Sequence, residues 1–272
     1  MPDRDVVSAT PLACDIVAFM AHPDDAELLC GGTLALSVAR GSRAAVVDFT
    51  RGELGTRGSE EIRAAEAAAA ARVLGLTCRV NLGLPDGHLH DGDEHRKAVV
   101  RLLRRMRPRV VLAPPCEDHH ADHVAVATIL ERSVYLSGVA RYVPELPPWR
   151  PHALLHAVGS RAAVPDLVVD VSSVIETRRA AIACFRSQFF RDDDDDDGDS
   201  AAPPRTRISH PEFLEWLDGA LRRFGFLIGV SHGEAYTSAA PVPVTDPVAL
   251  FDREPWEELG RGGREPATRA ER

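Results

Sequence analysis

Four short apolar runs, each followed by a helix-forming segment, limit what this chain can fold into. The runs are Cys14–Met20, Ala44–Phe49, Cys78–Leu82 and Val110–Ala113. Continuous apolar runs of this length read as strands buried on both faces. Helical segments are expected over 33–39, 60–74 and 94–106, and a fourth from the histidines at 119–123 to about Leu136. Ser59 suits an N-cap and Gly75 a C-terminal stop for the second of these. Strands alternating with helices imply a parallel sheet covered by helices on both faces. The expected fold class is therefore α/β: a Rossmann-like, doubly wound, mainly parallel sheet.

The C-terminal portion is less regular. Val139–Pro151 is proline-rich and irregular, and strands are expected over Ala153–Val158 and Leu167–Val171. A helix is expected over Ser172–Phe185, capped by Ser172 or Ser173, and another over Ser209–Phe224, with Pro211 in its first turn. The loop Phe189–Thr206 carries the run Asp192–Asp197. Residues 1–250 read as one domain, and 251–272 as a disordered tail.

In a sheet of this kind ligands bind beyond the carboxyl ends of the strands, above all where the strand order reverses. The polar clusters fall there: His22 to Asp25 after the first strand, Arg51 and Glu53 after the second, Asp86 after the third, His119 to His123 after the fourth. The first and fourth strands are expected to be neighbours, which would bring His22 and Asp25 against the later histidines.

The residue types name a chemistry. A catalytic divalent ion needs about three protein ligands and an open position. His22 and Asp25 can supply two, leaving Asp24 beside the ion to handle protons. The third ligand comes from His119, His120 and His123, where positions three or four apart share a helix face. One of these histidines would bind and another would stand by as a hydrogen-bond donor. Two histidines and a carboxylate also fit non-haem iron; the spare acid Asp24 favours hydrolysis. Arg51, Glu53, Arg57, Arg63 and Glu66 are mostly a solvated charged face, with at least one arginine available to an anionic substrate. The remaining histidines, including His156, show no ligand spacing.

Other classes are excluded or disfavoured. The net charge of −9 gives no basic field for nucleic acid. No apolar stretch approaches membrane-spanning length. Asp3 and Asp5, with no basic start before an apolar core, do not read as a secretion leader. Five scattered cysteines without a CxxC pair read as free thiols in a reducing cytoplasm.

The same residues carry a family resemblance. Ala21-His22-Pro23-Asp24-Asp25-Ala26-Glu27, with Gly31-Gly32-Thr33 behind it and His120-x-Asp122-His123 later, resembles the LmbE-like (PIG-L) family of zinc-dependent sugar N-deacetylases. Thr50-Arg51-Gly52-Glu53, Glu61-Ile62-Arg63-x-x-Glu66, Leu82-Gly83-Leu84-Pro85-Asp86, Tyr142-Val143-Pro144-Glu145, Ser187-Gln188-Phe189 and Gly233-Glu234-Ala235-Tyr236 are similar to its bacillithiol-forming branch, whose substrate is N-acetylglucosaminyl-malate. The resemblance implies His22, Asp25 and His123 as zinc ligands, Asp24 as general base, and His120 as the histidine that stabilises the oxyanion. It implies Arg63 near the acetyl and malate end of the substrate, with Arg51 and Glu53 also on the substrate side. Iron(II) or another divalent ion could replace zinc. The family commonly has proline where this chain has Ala121. The implied protein is a cytoplasmic homo-oligomer acting on a small N-acetyl amino sugar. The rival readings are a deacetylase of another N-acetyl sugar, an iron oxidoreductase, and a non-catalytic metal-stabilised sugar-binding protein.

Overall fold

The structure is a computed structural model that describes residues 13–159, 164–189, 206–246 and 248. The Asp192–Asp197 run, the 251–272 tail and Asp3 and Asp5 lie outside the described residues. The first strands are β1 (Ile16–Met20), β2 (Ala44–Asp48), β3 (Cys78–Asn81) and β4 (Val110–Ala113). They alternate with helices α1 (Asp25–Ala39), α2 (Glu60–Leu74), α3 (Asp93–Met106) and α4 (Ala121–Ser137). There follow β5 (Ala153–Ala157), β6 (Leu167–Asp170), α5 (Ile175–Ile182), α6 (Arg186–Phe189), α7 (Phe213–Leu227) and β7 (Gly233–Ser238).

One seven-stranded sheet runs β3-β2-β1-β4-β5-β7-β6. The first five of these are parallel, and β7 is antiparallel to both β5 and β6. The order reverses between β1 and β4, which pair from Ile16 opposite Val110 to Ala18 opposite Leu112. Strand alternation splits the core in two. Val17 and Phe19 face a layer that includes Val99, Leu103, Ile129 and Leu130 of α3 and α4. Ile16, Ala18 and Met20 face a layer that includes Leu34, Ala70 and Ile182 of α1, α2 and α5. Both faces of β1 are thus covered, as its unbroken apolar run requires. No helix among the described residues is long and apolar enough to cross a membrane.

Helix α2 spans Glu60–Leu74 as its pattern predicts, with the Ser59 hydroxyl accepting from the Ile62 N–H at 3.3 Å. Helix α1 differs from expectation: it begins at Asp25, not at Thr33. Cys30 breaks its geometry (φ −149°, ψ 15°), leaving N–H groups of the following turn in need of acceptors. Glu234 of β7 supplies them, accepting from Gly32 N–H at 2.8 Å and Thr33 N–H at 2.7 Å. A Cβ on Gly32 would lie 2.8 Å from Val171 and 2.9 Å from the Glu234 carboxylate, so this close approach needs glycine.

Two other expectations are corrected. The segment from Ser172 opens with a 3-10 turn, Ser172–Val174, and helix α5 ends at Ile182. Ser172 does not cap it; its hydroxyl donates to Asp170 at 2.7 Å instead. Helix α7 starts at Phe213, so Pro211 sits in the turn before it.

Candidate metal centre

The turn after β1 is built around its own side chains. The His22 N–H donates to Asp25 Oδ2 at 2.8 Å, and the Asp25 N–H to the His22 carbonyl at 3.3 Å. Asp24 has φ 113°, a left-handed conformation that costs a non-glycine residue about 1–3 kcal/mol and that collects at functional sites. Arg63 of α2 holds it there. Its Nη2 donates to Pro23 O at 2.5 Å and to Asp24 Oδ2 at 3.1 Å, and its Nη1 to Gly52 O at 3.2 Å. Gly52 (φ 70°) leaves room for that guanidinium, since a Cβ there would sit 2.0 Å from Arg63 Nη1.

The β1–β4 neighbourhood brings the two distant motifs together. His123 Nε2 lies 3.2 Å from Asp25 Oδ1, and His22 Nδ1 lies 3.3 Å from Asp25 Oδ2. Ligand-type nitrogens of His22, His120 and His123 all fall within 4.8 Å of one another. His119 is left out of this group: its side chain is 65% exposed and pairs with Asp118 at 2.7 Å.

Two carboxylates to which the sequence assigned no role fix the histidines. Asp86, in the loop after β3, accepts from His22 Nε2 at 3.0 Å. Asp118, in the loop after β4, accepts from His123 Nδ1 at 3.0 Å. A carboxylate can only accept, so each ring carries a hydrogen on that nitrogen and turns its other nitrogen toward Asp25. Asp122, at the start of α4, is buried. It accepts from Gly87 N–H at 2.7 Å and lies 3.5 Å from His22 Nε2. Only the shared sheet edge makes Asp86, Asp118 and Asp122 partners of the histidines, although each stands beside a turn or a histidine in the sequence.

The electrostatics follow from this crowding. Burial alone would lower the His22 ring, but Asp25 and Asp86 outweigh it and raise it to about 11. Burial likewise opposes His123, yet Asp25 and Asp118 raise it to about 10. Asp25 is held well below the usual carboxylate range, its burial overcome by His123 and His22. Burial works against Asp118 too, but its bond from His123 brings it down to about 2. Asp24 goes the other way: burial pushes it up to about 7, with Arg63 opposing. His120 is lowered by burial and then by His22 and His123. Its Nδ1 accepts from the Asp122 N–H at 3.3 Å, so the neutral ring carries its hydrogen on Nε2.

The donor set fits a divalent cation. His22 Nδ1 faces Asp25 Oδ2 and His123 Nε2 faces Asp25 Oδ1, so two rings flank one carboxylate, a nitrogen-and-oxygen donor set of the kind that takes zinc. Each histidine is also anchored through its other nitrogen, as metal-binding histidines are. His22, Asp25 and His123 thus lie together as candidate ligands, with His120 beside them.

A cavity of about 490 Å³ opens over these residues. Asp24, His120 and Arg63 join its polar floor, and Leu28, Leu29, Ile208, Phe213 and Leu217 form an apolar wall. Arg57 and Arg207 also line it. Arg51 and Glu53 are not brought to it. The Arg51 side chain is more than half exposed and pairs with Glu60 at 3.7 Å. Glu53 braces the loop, accepting from the Asp86 N–H at 2.8 Å.

Comparison with known proteins agrees with this geometry. A family model described as PIG-L, GlcNAc-PI de-N-acetylase, matches residues 17–134. The uncharacterized deacetylase YaiS of Escherichia coli (strain K12) is 31% identical over 130 residues, covering 46% of this chain and 70% of YaiS. The crystal structure of the conserved protein TT1542 from Thermus thermophilus is similar at TM-score 0.76 and 37% identity, covering 85% of this chain and 97% of that one. N,N'-diacetylchitobiose deacetylase from Pyrococcus horikoshii, solved with its inhibitor MPG, is similar at TM-score 0.70 and 25% identity, covering 94% of both chains. With the motif pair, the sheet and these matches in agreement, the chain belongs to the PIG-L family of GlcNAc-PI de-N-acetylases.

Proposed function

We propose that this protein hydrolyses the N-acetyl group of an N-acetylglucosamine conjugate, releasing acetate and a free amino sugar. One observation carries the reading: His22 and His123 are each anchored to a carboxylate through one ring nitrogen and turned to Asp25 through the other, with Asp24 beside them. The ion that His22, Asp25 and His123 would hold is zinc, with iron(II) or another divalent ion able to replace it; when bound it supplies Lewis acidity and acidifies water.

The remaining work falls to the chain's own groups. Asp24 accepts the proton of the attacking water. Its carboxyl, raised to about 7, is matched to exchanging protons near neutral pH. His120 offers its Nε2–H to the carbonyl oxygen as negative charge develops there, an oxyanion donor that does not require a protonated ring. Asp24 then returns its proton to the departing amine. Arg63 keeps Asp24 in its left-handed turn and is a positioning residue before it is a substrate contact. The apolar wall offers a surface for the less polar face of a sugar ring.

The conjugate favoured by the sequence resemblance is N-acetylglucosaminyl-malate. Arg57 and Arg207 in the cavity lining offer positive charge to its carboxylates. The test is acetate release by zinc-reconstituted protein, under anaerobic conditions and with a chelator control. The substrates are N-acetylglucosaminyl-malate, N-acetylglucosaminyl-inositol and diacetylchitobiose. Chelator-sensitive release from the malate conjugate ahead of the others supports the full reading. Release from another conjugate alone removes malate, and release from none removes the deacetylase.

A further inference from the structure

A second group of ligand-type side chains converges near the same sheet edge. Cys116 follows β4, Glu131 stands on α4, and His156 lies in β5, with ligand atoms all within 4.8 Å of one another. His156 is only 2% exposed. Its Nδ1 lies 3.0 Å from the Pro114 carbonyl, which can only accept, so Nδ1 carries the hydrogen. Nε2 of the neutral ring then bears a lone pair, and it is buried with no hydrogen-bond partner among the described residues. It faces Glu131 Oε1 at 3.8 Å, beyond hydrogen-bond range. Burial lowers the His156 pKa, which disfavours resolving this contact by protonating the ring. The Cys116 sulfur lies 3.9 Å from the same Glu131 oxygen.

A lone pair, a carboxylate oxygen and a sulfur around one point are the surroundings of a cation. A hydrogen bond from Nδ1–H to a backbone carbonyl is a common way to orient a metal-binding histidine. Zinc bonds would place nitrogen and oxygen about 3.3 Å apart, and sulfur and oxygen about 3.6 Å apart. Glu131 is half-exposed and free to make that small adjustment, while Cys116 is open to solvent. We infer that Cys116, Glu131 and His156 form a second cation site, selective for a borderline-soft divalent ion of the zinc class and separate from the His22, Asp25 and His123 centre. Binding would release the Cys116 thiol proton to water, forming a sulfur–metal bond. It would also pin the loop after β4, which carries Asp118, to α4 and β5.

The test is Co²⁺ titration of the full chain after chelator stripping, followed by absorption. The first centre contains no sulfur, so a thiolate-to-cobalt charge-transfer band reports the second site alone. The expected result is about two bound equivalents, one of them producing the band. Cys116→Ser should abolish the band and remove one equivalent, and Glu131→Gln should weaken the band titration at least about tenfold. Cys184→Ser should leave the band intact. Absence of the band in the unsubstituted protein, or its persistence in Cys116→Ser, overturns the inference. A band with no second equivalent would count against the first centre and leave this one standing.

Discussion

Arg63 Nη2 reaches both the Pro23 carbonyl and Asp24 Oδ2, so one guanidinium holds the backbone and the carboxylate of the same strained turn. Its position is set by α2, whereas Asp24 is set by β1, so the proposed base is clamped between two elements. Arg63→Met should lower kcat about a hundredfold with a smaller change in KM, the cost of misplacing a reacting group. It should also move the acid limb of the activity profile to higher pH, because the guanidinium opposes the burial that raises Asp24. A rise in KM with kcat unchanged would assign Arg63 to substrate binding instead. Steady-state kinetics across pH decides between them.

Asp24→Asn keeps the shape of the turn but removes the proton acceptor. Turnover should fall by about a hundredfold or more. Metal content, measured by elemental analysis, should stay at the level of the unsubstituted protein, because the ion is assigned to His22, Asp25 and His123. Activity that survives the change would remove Asp24 as the base.

Asp86 and Asp118 orient the two histidines from behind. Asp86→Asn and Asp118→Asn should each weaken divalent-ion binding by about ten- to a hundredfold, as loss of such outer partners does elsewhere. Competition with a chromophoric chelator measures it. Unchanged affinity in both variants would mean that the anchoring carboxylates do not tune the site.

A second pair of carboxylates shares one buried arginine. Arg79 of β3 is buried between Glu27, at 2.6 Å, and Asp48, at 2.7 Å. Burial raises Glu27, and only Arg79 opposes that shift strongly. Arg79→Met leaves two acids facing each other in the interior and should destabilise the fold by about 3–5 kcal/mol. Urea unfolding followed by circular dichroism is the measurement.

How much of this was legible depended on whether the cause was local. Strands β1 to β6 and helix α2 carry their own patterns, so their bounds differ from expectation by a residue or two, or not at all, whereas β7 was not expected as a strand. The meeting of His22 and Asp25 with His123 was legible because strand order alone puts β1 beside β4. The early start of α1 was not. Gly31-Gly32 resembles a break, and the acceptor for that turn is Glu234, about two hundred positions later. The partners of Asp122 were not legible for a similar reason: nothing near it announces that Gly87 and His22 will close over it. Arg51 and Glu53 sit in the right loop but point elsewhere, a matter of side-chain direction that residue type does not reveal. His156 carried no ligand spacing because its neighbours Cys116 and Glu131 come from other elements.

The proposed amide hydrolysis depends on one ion held by groups from both motifs. The most direct measurement is acetate release from N-acetylglucosamine conjugates by chelator-stripped protein, before and after zinc is returned, in parallel with His123→Ala. The stripped protein should release nothing and recover fully with zinc, while His123→Ala should stay inactive at the same zinc concentration. Acetate release by the stripped protein, or by His123→Ala at the unsubstituted rate, would contradict it.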